Sequence, residues 1–480
     1  MDKDAVRSSG IISASQLSFK YSESRDGITD VNFVINKGDT VLLTGNSGCG
    51  KSTLLKCLNG LIPTITEGDL EGVLSIEGND SSDIKIHELN KIIGSVFQNP
   101  RSQFFTENTT AELVFPMENY GFTKQEMDKR LDELKEDFGI GGIMDRDIYS
   151  LSSGERQLIA LASSVAMHQK VLLFDEPSAN LDYGNSMRLG SIISRLKREG
   201  YTVLVADHRF FYLSGKIDKV LFMEGGRLRT FDSEEDFKNS GYNVRSFDLF
   251  SIDIPFRPAP AHSECIAEMK DVSYKNILHD VSLKLYRGEV VGIVGNNGVG
   301  KTTLAKLLCR TFKPDKGSIS INDLPFFIMQ DPDYQLFGTS VMNELSLVKN
   351  DDRAIEECLG ELGLLPYKNK HPFDLSGGQK QRLQIGMAML CGKDLIIFDE
   401  PTSGLDIGSM KTVAGEILKL KEKAGILVIS HDYEFLRNVA DRIVFVSGGK
   451  VEKDFYLNSE TVNELNDIFT KMQEEKAYEE

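Results

Sequence analysis

Two glycine-rich runs, each ending in a lysine and two hydroxyl residues, have the residue types that phosphate chemistry needs. Both match G-x-x-x-x-G-K-[ST] between a predicted strand and a predicted helix. The glycines let backbone N–H groups face a phosphate, the lysine neutralises its oxygens, and the Ser or Thr hydroxyl can bind Mg²⁺. We predict two phosphate-binding loops. They comprise Gly45, Asn46, Ser47, Gly48, Cys49, Gly50, Lys51, Ser52 and Thr53, and Gly295, Asn296, Asn297, Gly298, Val299, Gly300, Lys301, Thr302 and Thr303.

Two pairs of adjacent carboxylates follow apolar strands downstream of these loops. Asp175-Glu176 and Asp399-Glu400 each come after four apolar residues and precede a proline. An Asp at the carboxyl end of a buried parallel strand faces the crevice where ligands bind in α/β sheets, so it can hold Mg²⁺ through water. The adjacent Glu can polarise an attacking water as general base. These pairs predict hydrolysis at the phosphate.

The elements that must position these residues occur twice. Four short apolar runs read as buried parallel strands, and two more lead into the phosphate loops. Ser152 precedes Glu176 by 24 positions and Ser376 precedes Glu400 by the same 24. The period is much longer than a solenoid repeat, so we predict two α/β domains. The strands expected are 41–45, 171–174, 203–206, 290–295, 395–398 and 427–429.

The predicted boundaries place domain one at 11–230 and domain two at 265–452. An acidic linker, 231–264, ends in Pro255-Phe-Arg-Pro-Ala-Pro260 and is expected to be extended and stiff. A tail, 453–480, contains an acidic surface helix that opens at Asn458 or Ser459 and is expected to have no chemistry of its own.

Composition is that of an ordinary globular protein of 480 residues, with a formal net charge of −17. The negative charge disfavours a generic nucleic-acid binder. No apolar run reaches the roughly 18 residues of a membrane span. Residues 1–4 have no apolar signal-peptide core, so a cytoplasmic chain is expected. The six cysteines form no C-x-x-C pair or Cys/His cluster, which favours free thiols over a zinc or iron–sulfur site.

Leu375-Ser376-Gly377-Gly378-Gln379 matches the LSGGQ signature of the ATP-binding cassette (ABC) family, and both halves resemble its nucleotide-binding domains. The first copy, Leu151-Ser152-Ser153-Gly154-Glu155, departs at two positions. The resemblance covers almost the whole chain. It implies an α/β fold with two P-loop NTPase domains, each with a mainly parallel core sheet and a helical signature subdomain. It also implies ATP and Mg²⁺ as cofactors.

Other family positions can be carried over from this resemblance. Gln98 and Gln330 match the Q-loop, which contacts Mg²⁺, and His208 and His431 match the switch histidine. Asp182 and Asp406 match the D-loop, and Tyr21 and Tyr274 match the aromatic that stacks on adenine. The predicted Mg²⁺ residues are Ser52, Gln98, Asp175, Thr302, Gln330 and Asp399.

In the family, each signature loop binds the γ-phosphate held by the other domain. The resemblance therefore implies two sites. Site A has Lys51, Gln98, Glu176, His208 and 376–379, and site B has Lys301, Gln330, Glu400, His431 and 152–155. We expect both to hydrolyse ATP. Site B is expected to be the weaker, because Ser153 adds a Cβ where glycine lets backbone approach phosphate and Glu155 adds negative charge.

Sequence near the Q-loop is similar to the ATPases of energy-coupling factor (ECF) importers of vitamins and transition metals. Both halves share Q-x-P-x-x-Q from Gln98 and Gln330, and each has an acid 14 positions later, Glu112 and Glu344. These acids suit arginines of a membrane partner's coupling helix, or are two solvated helix residues.

The implied protein is a motor peripheral to the cytoplasmic face of the membrane. Its partners are an integral membrane coupling subunit and a substrate-binding membrane subunit, with no nucleic acid and no homodimer required. The alternatives are a soluble twin-cassette ATPase acting on ribosomes or another complex, and a sugar-importer ATPase.

Overall fold

Runs of β-branched and aliphatic residues form the strands on which the predicted chemistry depends. The computed structural model describes residues 10–22, 26–242, 244–258, 260 and 264–477. Residues 1–4, considered above for a signal peptide, lie outside the described residues, as do parts of the predicted linker (243, 259, 261–263) and the end of the predicted tail (478–480). The described chain divides into two units, the first holding most of residues 10–248 and the second most of 249–475.

The first unit contains a six-stranded sheet and a four-stranded antiparallel sheet, in the orders β10-β9-β3-β8-β7-β6 and β2-β1-β4-β5. The strands are β1 (Ile12–Tyr21), β2 (Gly27–Ile35), β3 (Thr40–Gly45), β4 (Gly68–Ile76), β5 (Asn79–Asp80), β6 (Ile93–Val96), β7 (Val171–Asp175), β8 (Thr202–Ala206), β9 (Lys219–Glu224) and β10 (Arg227–Phe231). The helices are α1 (Lys51–Leu58), α2 (Leu61–Thr64), α3 (Ile86–Leu89), α4 (Thr109–Asn119), α5 (Lys124–Phe138), α6 (Ser153–Ser164), α7 (Tyr183–Arg198) and α8 (Glu234–Lys238).

The second unit repeats this plan with a three-stranded sheet, β12-β11-β14, and a six-stranded sheet, β15-β16-β17-β13-β18-β19. Its strands are β11 (Cys265–Tyr274), β12 (Leu278–Tyr286), β13 (Val290–Val294), β14 (Lys316–Ile321), β15 (Phe326–Ile328), β16 (Leu395–Asp399), β17 (Gly425–Ile429), β18 (Arg442–Ser447) and β19 (Lys450–Tyr456). Its helices are α9 (Lys301–Leu308), α10 (Val341–Ser346), α11 (Asp352–Glu361), α12 (Gly377–Leu390), α13 (Ile407–Lys421), α14 (Tyr433–Val439) and α15 (Val462–Ala477).

The predicted α/β class and the mainly parallel core sheets are confirmed. In the first unit β3 runs parallel to β8 and β9, and β7 runs parallel to β6 and β8. In the second unit β13 runs parallel to β17 and β18, and β16 runs parallel to β15 and β17. Parallel strands with both faces covered are apolar throughout, which is why these runs could be recognised.

The predicted linker is largely folded. Residues 232–248 include α8, and Phe237 and Phe247 are buried in the core of the first unit. The Pro-containing part packs on the second unit, where Arg437 donates to the Ile254 carbonyl at 2.7 Å and lies 4.3 Å above the Phe256 ring. The guanidinium is attracted to the face of the aromatic ring, which helps to hold this segment in place.

The predicted tail also differs in detail. Residues 453–456 belong to β19, and the helix begins at Val462 rather than at Asn458 or Ser459. Asn458 instead accepts hydrogen bonds from the backbone of Glu460 and Thr461 in the preceding turn. The helix has a buried apolar face in addition to its acidic one, because Leu465, Ile468, Phe469 and Met472 are buried. Among the described residues, no helix is both long and apolar enough to span a bilayer.

Candidate functional site

The first phosphate loop follows β3 and leads into α1, as its sequence predicts. Gly45 lies at φ 147°, and a Cβ there would meet the Met223 carbonyl oxygen at 2.0 Å, so only glycine fits. The Lys51 ammonium donates to the carbonyl oxygens of Gly45 at 3.1 Å and Asn46 at 3.2 Å. These bonds hold the lysine across the mouth of its own loop.

The second loop, between β13 and α9, has the same design with shorter bonds. Lys301 donates to the carbonyl oxygens of Gly295 at 2.7 Å and Asn296 at 2.9 Å. Burial lowers the pKa of Lys301, although the negative charge of Glu400 and Asp399 opposes this. Carbonyl oxygens do not neutralise the ammonium, so its positive charge can bind an anion.

Each general-base candidate occupies a strained turn directly after its strand. Glu176 and Glu400 have φ of 48° and 49°, values that non-glycine residues rarely adopt. The backbone N–H of Glu176 donates to Ala206 O at 2.7 Å and that of Glu400 to Ile429 O at 2.9 Å. The neighbouring strand therefore fixes the turn, and strain of about 1–3 kcal/mol at one residue is typical of functional positions.

Four predicted residues meet in the first unit. Gln98 Nε2 donates to Glu176 Oε2 at 2.8 Å, and His208 Nε2 lies 3.3 Å from Glu176 Oε1 and 3.2 Å from Lys51 Nζ. Burial alone would raise the pKa of Glu176, but hydrogen bonding and charge from His208, the charge of Lys51 and the Gln98 bond outweigh it and lower the pKa. Glu176 is therefore ionised at neutral pH, as a general base must be.

The histidine–glutamate pair of the second unit uses the other ring nitrogen. His431 Nδ1 lies 2.7 Å from Glu400 Oε1. Nε2 of the same ring is buried and has no hydrogen-bond partner in the described part of the chain. Gln330 follows β15 by two residues, the same place that Gln98 has after β6.

The predicted Mg²⁺ residues supply hard oxygen donors. Thr302 Oγ1 donates to Asp399 Oδ2 at 2.8 Å, and Ser52 makes the matching bond to Asp175. Burial, and then the adjacent Glu, raises the pKa of each Asp to about 6. Within the described residues no three His, Cys, Asp or Glu side chains are grouped to hold a metal by themselves. A single carboxylate plus a hydroxyl fits Mg²⁺, which keeps several waters and uses substrate phosphates as ligands. When bound, it would neutralise phosphate charge.

Both signature loops are helix N-caps. Ser152 N–H donates to Glu155 Oε2 at 2.7 Å and Glu155 N–H to Ser152 Oγ at 3.3 Å, which is a capping box at the start of α6. Ser376 and Gln379 form the same box at α12, with Ser376 N–H to Gln379 Oε1 at 2.9 Å. Glu155 thus has a structural role that the S-x-x-E spacing could have revealed.

Comparison with known proteins identifies the family. The ABC transporter family model matches residues 28–179 and 278–403. A "Putative ABC transporter ATP-binding protein" of Treponema denticola is 39% identical over 485 residues, covering 95% of this chain and 99% of the relative. The chain belongs to the ABC transporter family. It is a tandem-cassette ATPase that binds ATP with Mg²⁺; the first and second units are called the first and second cassettes below.

Two further matches extend this comparison. A protein of the same printed name from Methanosarcina acetivorans is 28% identical over 515 residues, covering 91% of this chain and 84% of the relative. An archaeal ribosome recycling factor, solved with a ribosomal stalk protein, superposes with a TM-score of 0.69 at 23% identity over 94% of this chain and 92% of that chain. At this identity the likeness shows the fold alone.

The Q-x-P-x-x-Q motif has a local structural explanation. Asn99 and Asp331 cap the short turns Pro100–Ser102 and Pro332–Tyr334, in which Pro takes the first position. The second glutamine then closes the loop onto the strand before it. Gln103 accepts from Phe97 N–H at 3.0 Å and donates to Ser95 O at 3.0 Å, and Gln335 repeats both bonds in the second cassette.

Both interpretations of the two acids after the Q-loop are wrong. Glu112 and Glu344 are 3% and 1% exposed, so they neither form acidic grooves nor sit on a solvated face. Glu112 Oε2 accepts from the backbone N–H groups of Phe105 at 3.0 Å and Thr106 at 2.9 Å. Glu344 Oε2 accepts from Phe337 and Gly338 in the same way. A loop whose N–H groups point inward needs a buried acceptor, and these carboxylates supply it.

The two tyrosines carried over as adenine-stacking residues lie in different settings. Tyr21 Oη is 2.9 Å from Thr53 Oγ1 on α1. Tyr274 is 9% exposed and stacks on Phe312 with ring centroids 5.2 Å apart and planes 6° from parallel. One face of Tyr274 is thus already covered, and adenine stacking stays a prediction for both residues.

Sequence reasoning missed a buried network beside His208. Asp207 accepts from the Tyr212 hydroxyl at 2.7 Å, and Arg209 donates to the carbonyl oxygens of Ser178 at 2.5 Å and Leu181 at 3.4 Å. Burial raises the pKa of Asp207. The network ties the segment that contains His208 to the loop that follows Glu176. The charged residues on either side of His208, Asp207 and Arg209, were the sequence feature that could have predicted this network.

Proposed function

We propose that the chain is the ATP-hydrolysing motor of an ECF-like membrane importer, peripheral to the cytoplasmic face of the membrane. The binding of two ATP molecules closes the cassettes, and hydrolysis of the ATP reopens them. Each closure moves a coupling subunit embedded in the membrane, which resets a substrate-binding membrane subunit. The cargo is a micronutrient such as a vitamin or a transition metal.

Exposed aromatic side chains at matched positions carry the proposal. Phe105 and Tyr149 of the first cassette are 77% and 58% exposed, and Phe337 and Phe373 of the second are 78% and 49% exposed. Each pair adjoins its Q-loop. Contiguous exposed apolar surface marks protein or membrane contacts, and the recurrence of exposed aromatics at matched positions in both cassettes favours a partner that engages both.

The aromatics of each cassette lie on two segments that are bonded together. In the first, Ile148 N–H donates to Glu107 O at 2.9 Å, two residues from Phe105 and one from Tyr149. In the second, Val341 N–H donates to Lys370 O at 3.0 Å. The buried Glu112 and Glu344 bind the backbone of Phe105 and Phe337 themselves. An apolar side chain on a fixed backbone binds a partner at lower entropic cost.

Other observations support the same proposal more broadly. The relatives that span the chain have the printed name of ABC transporter ATP-binding proteins. The ECF class and its micronutrient cargo rest on the sequence resemblance around Gln98, Gln330 and His208.

Hydrolysis is assigned to residues of each cassette. Glu176 and Glu400 hold the attacking water and take its proton. Lys51 and Lys301 neutralise the phosphate oxygens, and Mg²⁺, when held beside them, would neutralise further phosphate charge. His208 and His431 face these glutamates, the first through Nε2 and the second through Nδ1, and orient the carboxylates toward the attacking water. The signature loops 376–379 and 152–155 complete sites A and B respectively.

Membrane fractionation of the native cells tests the location and the aromatic surface together. We expect wild-type chain in the membrane pellet, released by alkaline carbonate as a peripheral protein. Phe105→Ser with Phe337→Ser should shift it to the supernatant. The control is Ile65→Ser, an exposed apolar residue at 69% exposure elsewhere on the first cassette. Wild-type chain in the supernatant or in ribosomal fractions would contradict the proposal.

A further inference from the structure

The C-terminal helix α15 packs against two segments of the second ATP site. Phe469 contacts Tyr433, two residues after the switch His431, with ring centroids 5.2 Å apart. The Tyr433 hydroxyl donates to Asn466 Oδ1 at 2.6 Å. Four apolar side chains of α15 are buried. The helix is therefore fixed on the second cassette next to its catalytic segment.

The end of the same helix reaches the phosphate loop. Asn296, the second residue of that loop, donates from Nδ2 to Glu475 Oε2 at 2.7 Å and, at 3.4 Å, to the Met472 carbonyl. The backbone carbonyl of Asn296 accepts from Lys301. Glu475 thus binds the side chain of Asn296, and the backbone of Asn296 in turn binds Lys301.

The first cassette provides an internal comparison. Asn46 occupies the same loop position as Asn296, and its carbonyl also accepts from the loop lysine, Lys51, at 3.2 Å. The Asn46 side chain is exposed, whereas Asn296 is 5% exposed beneath α15. Asn46 and Asn296 therefore occupy matched positions, but of the two side chains Glu475 of the C-terminal helix binds only that of Asn296.

The charge of Glu475 is compensated locally. The Ser447 hydroxyl donates to Glu475 Oε1 at 3.1 Å, and Lys471 Nζ lies 3.9 Å from the same oxygen. A carboxylate satisfied in this way repels a bound phosphate little, while its charge-assisted bond to Asn296 is a strong one. Fixing the loop before ATP arrives removes an ordering cost from binding.

We propose that Glu475 is a positioning residue for the second ATP site, acting through Asn296 on the phosphate-binding loop. The affinity of the second cassette for ATP then depends on the C-terminal helix, and that of the first does not.

The test measures MANT-ATP binding at one site at a time in the full chain, with Lys51→Ala to silence the first site or Lys301→Ala to silence the second. Glu475→Ala should raise the second-site Kd about 3- to 10-fold, the loss of one charge-assisted hydrogen bond. Glu475→Gln, which keeps an acceptor for Asn296, should recover most of the affinity. Glu474→Ala removes the same charge from the exposed neighbour and should stay within about twofold. The first-site Kd should not respond to Glu475→Ala.

Four results with the alanine variants would overturn the proposal. They are an unchanged second-site Kd, a tighter Kd that reveals repulsion of phosphate, an equal effect of Glu474→Ala, and an equal loss at the first site. A drop in melting temperature with Glu475→Ala would point to a structural role. The Glu475→Gln variant then distinguishes the two roles, because the side chain keeps its shape. If this variant loses ATP affinity at an unchanged melting temperature, positioning by hydrogen bonding is also contradicted.

Discussion

At the scale of single residues, the pKa values of two adjacent carboxylates in one site are shifted in opposite directions. Burial and the charge of Glu176 raise the pKa of Asp175 to about 6, whereas His208 and Lys51 lower the pKa of Glu176 against its own burial. Both carboxylates have to be ionised when Mg²⁺ and ATP bind. In the absence of Mg²⁺ and ATP, the ionised and buried aspartate lowers the free energy of unfolding at neutral pH.

The Asp399→Asn variant tests this cost. The folded pKa of Asp399, about 6, exceeds the roughly 3.9 of an unfolded Asp. The stabilising contribution of Asp399 is therefore fully present below about pH 4 and is lost as pH rises through 6. In EDTA without nucleotide, the variant should melt about 2–4 °C above wild type at pH 7.5 by scanning fluorimetry. The gain should shrink toward pH 4, and the variant should lose Mg²⁺-dependent ATP binding. Equal or lower melting at pH 7.5 would contradict the account.

At the scale of elements, a buried carboxylate of α4 supports the exposed loop before it. Glu112 lies inside, accepts hydrogen bonds from Phe105 and Thr106, and so fixes the most exposed aromatic of the first cassette. Glu344 on α10 does the same for Phe337. The helix and the aromatic loop therefore form one rigid element.

Glu112→Ala should lower the free energy of unfolding of the first cassette by about 2–4 kcal/mol, because it leaves two N–H groups without an acceptor. Glu112→Gln should cost less, since the amide oxygen still accepts. Glu118→Ala, which removes an exposed acid of the same helix, serves as the control and should stay within about 0.5 kcal/mol. Urea unfolding measures the difference; if Glu118→Ala and Glu112→Ala cost the same, the buried bonds have no such role.

At the scale of the whole molecule, we predict unequal ATP sites. Each cassette has its own phosphate-loop lysine, glutamate and histidine, but the family resemblance implies that the signature loop with Ser153 and Glu155 serves site B. The rate of phosphate release should therefore fall further in the Glu176→Gln variant than in the Glu400→Gln variant. Equal losses in the two variants would contradict this prediction. Ser153→Gly, which restores the residue of the second loop, should narrow the difference. Among the described residues, a Cβ at the matching Gly377 would meet no heavy atom within 4 Å apart from its own helix and chain neighbours, so the effect would come from what approaches the loop.

The sequence predicted the features that a short pattern encodes. Parallel strands such as β3 and β7, the two phosphate loops and the Asp-Glu turns were all legible because each uses local residue types. The roles of Glu112, Arg209 and Glu475 were not, because each depends on which backbone or side chain lies opposite in the fold. Glu112 bonds a loop six residues away, and Glu475 reaches a loop 179 positions earlier. The negative charge of Glu112 and Glu475 could not by itself predict the partner of either residue.

The measurement that tests the central claim most directly is purification of the tagged chain, expressed with its neighbouring genes, from membranes solubilised in mild detergent. The account predicts that one or two small integral membrane proteins elute with it, and fewer with Phe105→Ser and Phe337→Ser. Ribosomal proteins without any integral membrane protein would contradict the transport motor, leaving an ATPase that acts on another complex.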